Sequence, residues 1–108
     1  MKLNIYNKRE IIKTYTADGY DLMFGTLEDV ASAVKLDELE TGSDVELIKM
    51  VGNLVIHSMD TVKDLLKDIF EGITDEELKH TKINEIVDVF IEVVQYTFRT
   101  FGKYASKN

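Results

Sequence analysis

Apolar residues from Ile48 onward recur at Val51, Val55, Met59, Val62, Leu66 and Ile69. Steps of three and four put them on one stripe of an α-helix roughly five to six turns long. A single helix over 44–70 is the simplest expectation, although Gly52 costs about 1 kcal/mol relative to Ala in a helix interior. The "HSMD" at 57–60 is a place for a bend.

The N-terminal pattern differs. Leu3 and Ile5, then Lys13 and Tyr15, alternate with polar neighbours on either side of "NKRE", the period-two signature of a β-hairpin over 1–17. Two strands are marginal alone in water, so the hairpin must lie on the helical body or join another chain's sheet. Tyr6, Tyr15, Tyr20 and Phe24 are expected to give this quarter an adhesive face.

Helix starts are marked at Thr26, Ser43 and Thr74, each followed three residues later by Asp29, Glu46 or Glu77. These are capping boxes or their Asp variant. The first helix is expected over 27–36, ending in "DELETGS". Gly72 is placed to stop a helix in the left-handed conformation, Thr74 opens a short helix through about His80, and the last helix runs from about Lys82 to Phe101 before Gly102. The expected architecture is mainly α: one domain, a bundle of three to four helices over 26–102 with an N-terminal β-hairpin and a flexible tail at 103–108.

The last helix carries apolar residues on every side. At 100° per residue Phe90, Val94 and Phe101 share one face; Val87, Ile91 and Phe98 a second; Ile86, Val89, Val93 and Tyr96 a third. A helix apolar all round must be covered all round. Either it is the centre of the bundle, or another subunit or a client helix closes part of it. Tyr20, Phe24, Phe90, Ile91, Val94, Phe98 and Phe101 are the candidate partner-binding residues.

Charge and composition exclude several function classes. Thirteen basic residues against twenty acidic ones give a net charge of −7, which opposes binding to a phosphate backbone. With no cysteine there is no disulfide, thiolate nucleophile or zinc–thiolate site. The most apolar window, 86–98, contains Asp88, Glu92 and Gln95 and is too short to cross a bilayer; the alternating "MKLNIYNKRE" is not expected to act as a signal peptide.

Carboxylates crowd 61–81, "TVKDLLKDIFEGITDEELKHT". Helical spacing sends Asp60, Lys63, Asp64, Lys67, Asp68 and Glu71 outward, and "TDEE" suits the partial positive charge of a helix N-terminus. The order of oxygens does not fit a calcium loop. His57 and His80 each lack a second histidine one turn away. A site built on His80 with Asp75, Glu76 or Glu77 is the enzymatic alternative. No catalytic set, metal or cofactor is expected.

"TYTADGYDLMFGTLEDV" and "SMDTVKDLLKDIFEGITDEELKHTKINEIV" resemble tail assembly chaperones of long-tailed phages and prophages of low-GC Gram-positive bacteria, most strongly over 20–29 and 60–81. The resemblance implies a small acidic helical protein that self-associates in the host cytoplasm and is absent from the mature virion. It implies a client, the tape measure protein, kept soluble until tail tube subunits polymerise around it. It also implies a frameshift-extended form that meets the tail tube protein, with the codons of Gly102 and Lys103 as the place for the slip. The alternative is a structural head–tail joining or tail component of the virion.

Overall fold

The computed structural model describes residues 1–33 and 44–105, with the side chains of Tyr20, Asp44, Phe98 and 101–105 outside the description. Two strands, β1 (Lys2–Asn7) and β2 (Glu10–Thr16), are followed by a 3-10 turn (Gly19–Asp21) and five helices among the described residues. The helices are α1 (Phe24–Ala33), α2 (Asp44–His57), α3 (Met59–Ile69), α4 (Asp75–Leu78) and α5 (Ile83–Ala105). The chain is thus mainly helical with an N-terminal antiparallel hairpin, as the patterning predicts.

The hairpin turns at Lys8 and Arg9, with Lys8 at φ 57°, a left-handed conformation that Gly or Asn enters more readily. Ile5 pairs with Lys13 and Tyr6 with Ile11, so Ile12 is the extra residue of a β-bulge. The expected alternation fails there, and Ile11 and Ile12 are both exposed. On the inner face Leu3 and Ile5 are buried against the helices. β1 also docks by its backbone: the Tyr6 N–H donates to the His80 carbonyl at 2.8 Å and the Asn4 N–H to Glu85 Oε1 at 3.1 Å. The hairpin therefore lies on its own helical body.

The long helix expected over 44–70 is two helices. They break at Ser58, whose φ of −140° and ψ of 54° are not helical. Val51, Val55, Val62, Leu66 and Ile69 of the predicted stripe are buried, but Ile48 and Met59 face water. A straight rod could not fold its apolar stripe over α5 and α1 at once, whereas the break lets α2 pack on α5 while α3 packs on α1 and α2.

Other boundaries move as well. α1 begins at Phe24, so Thr26 is not a cap but a buried residue within the first turn. The end expected at Leu36, "DELETGS" and the cap at Ser43 lie outside the described residues. Gly102 does not end the last helix, since α5 continues to Ala105 and takes in part of the expected tail; 106–108 lie outside the description. Two local readings hold in detail. Gly72 has φ 91°, and Thr74 forms both bonds of a capping box with Glu77.

α5 is the centre of the fold, contacting α1, α2 and β1. Phe90, Val93 and Val94 are fully buried, joined by Val89, Ile86 and Thr97, whose hydroxyl donates to the Val93 carbonyl at 2.8 Å. Thr97 thus brings its own partner into an apolar interior.

Candidate interaction surface

The seven residues expected to bind a partner do not form one surface. Phe90 and Val94 are wholly enclosed by their own chain and are core residues, so their place on a free face is corrected. Ile91 is half-buried against the core. Phe24, at the first position of α1, is 67% exposed. Tyr20 lies in the 3-10 turn and Phe98 and Phe101 on the second half of α5, but their side chains are outside the described residues.

Tyr6 and Tyr15, two of the residues expected to make the N-terminal quarter adhesive, instead anchor it. Tyr6 Oη donates to Glu85 Oε2, and the Lys82 ammonium sits 4.4 Å from the Tyr6 ring centroid. The hydrogen bond to Glu85, together with desolvation, raises the Tyr6 hydroxyl above its ordinary value. Tyr15 Oη donates to Glu77 Oε1 at 2.6 Å, with Lys13 4.5 Å from the Tyr15 ring and 3.2 Å from Glu77 Oε2. Glu77 also accepts the Thr74 backbone N–H at 3.1 Å. The Tyr15 bond, then the Thr74 backbone and Lys13, hold the Glu77 carboxyl down at about 2 against partial desolvation.

These carboxylate clusters serve as fasteners. Lys67 and Asp75 join α3 to the start of α4 at 2.7 Å, lowering the Asp75 carboxyl and raising the Lys67 ammonium. His80, the candidate for acid–base work, is exposed, with Nε2 3.6 Å from Glu76 Oε1. Among the described residues no group of three or more His, Cys, Asp or Glu is placed to hold a metal ion. No described helix is long and apolar enough to cross a membrane.

What the described residues present instead is apolar side chains in water, in four places, the first being Ile11 and Ile12 on β2. Met23 and Phe24 project where the 3-10 turn enters α1. Val45, Ile48 and Ile56 form an outer stripe on α2. Met59 and Ile83 flank an apolar groove of about 320 Å³ between α3, α4 and the start of α5.

Sequence reasoning missed most of these because it looked for surplus on the last helix. The same all-round test applied to 44–57 finds it. Leu47, Val51, Leu54 and Val55 fill the inner face of α2, leaving Val45, Ile48 and Ile56 on another side. No family model, curated protein or solved structure matches this chain.

Proposed function

We propose that this chain is a tail assembly chaperone of a long-tailed phage or prophage of low-GC Gram-positive bacteria. It self-associates and coats the tape measure protein, keeping that client soluble for tail tube polymerisation in the host cytoplasm, and is absent from the mature virion. The reading is non-enzymatic: binding is by burial of apolar surface, and the net negative charge keeps the assembly in solution.

The observation that carries the binding role is the exposed apolar set, above all Phe24 at 67% and Met23 at 74% exposure beside one another. Burying a large apolar side chain is worth roughly 1.5 to 3 kcal/mol, so covering several of them drives association. The likeness over 20–29 supports the same segment as a working surface, and supplies the client's identity.

Co-expression tests it. The tape measure protein should remain in the soluble fraction with this chain present and precipitate without it, and purified particles should lack the chain. A client that is equally insoluble in both cultures defeats the chaperone reading, and detection at fixed copy number in particles replaces it with a structural tail component.

A further inference from the structure

Two surfaces of this molecule complement one another in apolar character and charge. The groove between α3, α4 and α5 has apolar walls that include Leu66, Leu78 and the half-exposed Met59 and Ile83. Its charged lining residues are Lys63 and Lys79, with no carboxylate, in a chain where acids outnumber bases by twenty to thirteen. Lys79 has Glu76 at 3.6 Å, but both are mostly exposed, and such a pair is exchanged for another partner at little cost.

The opposite surface is the projecting Met23–Phe24 pair. Residues 17–33 contain Asp18, Asp21, Glu28 and Asp29 and no Lys or Arg, and Asp21 and Glu28 are exposed on either side of the pair. It is an apolar knob in an acidic collar.

The knob cannot fill its own groove. The turn leading into it sits on the second half of α5, where a Cβ at Gly19 would lie 2.9 Å from Tyr96 Cδ2. Ile83, at the groove, begins that helix. At 1.5 Å per residue the two positions are separated by roughly 20 Å of rigid α5.

We propose that the groove receives the Met23–Phe24 knob of a second copy of this chain, with the acidic collar against Lys63 and Lys79. Because knob and groove are different patches, the contact is head to tail: each copy that accepts a knob still offers its own, and the assembly grows until the geometry closes. A single knob in one groove is a small interface, so each contact is weak and assembly depends on concentration. The inference deepens the self-association in the reading above and rests on it for its role, not for its geometry.

Complementation between defective copies tests it. Phe24→Asp spoils the knob and keeps the groove; Ile83→Asp spoils the groove and keeps the knob. In sedimentation velocity the wild-type chain forms species larger than a dimer as concentration rises. Each variant alone is monomeric, with association weakened by at least about tenfold, and their equimolar mixture forms a dimer and nothing larger. Both sites are exposed, and circular dichroism verifies that the variants keep their helices. The double variant Lys63→Glu, Lys79→Glu, which leaves every apolar residue in place, also loses association. A wild-type chain that stays monomeric at high micromolar concentration, a variant that associates like wild type, or a mixture that stays monomeric overturns the proposal. Client solubility is read separately, so a failed mixture with a soluble client removes this contact and leaves the chaperone reading standing.

Discussion

Tyr15 Oη lies 2.6 Å from Glu77 Oε1, tying the second strand of the hairpin to the first turn of α4 across 62 residues of sequence. Glu77 is already engaged there as the third residue of the capping box, accepting from the Thr74 backbone while its own N–H donates to Thr74 Oγ1 at 3.1 Å. One carboxylate therefore starts a helix, accepts a tyrosine and pairs with Lys13. Tyr15→Phe and Glu77→Gln should each lower the melting temperature, and the double variant should cost less than the sum of the two. Additive losses in the double-mutant cycle would separate the strand from the cap.

The same carboxylate sets a pH dependence. Its value in the folded protein is about 2, against 4.5 ordinarily, so the unfolded chain binds a proton there first. The contribution to stability is complete above about pH 4.5 and is lost as pH falls toward 2. Asp75, lowered by Lys67, adds in the same direction. Denaturant melts from pH 6 to 2 should show Tyr15→Phe losing less stability over this window than the wild-type chain does.

Thr74→Ala removes the hydroxyl that accepts the Glu77 N–H and should cost about 1 kcal/mol. Thr26→Ala tests the contrast. Thr26 is buried in α1 and does not cap it, so any loss there comes from packing and should not be recovered by Ser or Asp, which are good caps.

Phe90→Ala should destabilise by roughly 3 to 5 kcal/mol, because the ring is fully enclosed and its neighbours on α5 cannot collapse into the space. Phe24→Ala, at an exposed position, should change thermal stability of the dilute chain by less than about 0.5 kcal/mol. Equilibrium urea melts at low concentration distinguish the two phenylalanines.

Two glycines should respond with opposite signs. Nothing lies within 4 Å of a Cβ placed at Gly52, so Gly52→Ala should stabilise α2 by up to about 1 kcal/mol. Gly72 also has open space around it, but its φ of 91° is unfavourable for any side chain, and Gly72→Ala should cost roughly 1 to 2 kcal/mol. Thermal melts of the two variants should move apart.

The features legible in the sequence are those fixed by neighbours a few residues away. Alternation around "NKRE" gives the hairpin, the Thr74 and Glu77 pair gives the cap, and Gly72 gives the stop, since each depends on partners close in sequence, from three residues apart in the cap to fourteen across the strands. The apolar girth of 83–101 also determined that this helix must be covered. Which atoms cover it was decided only by the tertiary structure: β1, α1 and α2 arrive from the other end of the chain, and Phe90 and Val94 become core in place of a binding face. The break at Ser58, the bulge at Ile12 and the anchoring of Tyr6 and Tyr15 likewise involve partners distant in sequence or a backbone departure that no local pattern fixes. The surplus of apolar surface was present in the composition, but its place depends on which faces the fold leaves over. It appears at Ile11 and Ile12, at Phe24, on α2 and beside Ile83, the faces that the packing around α5 leaves uncovered.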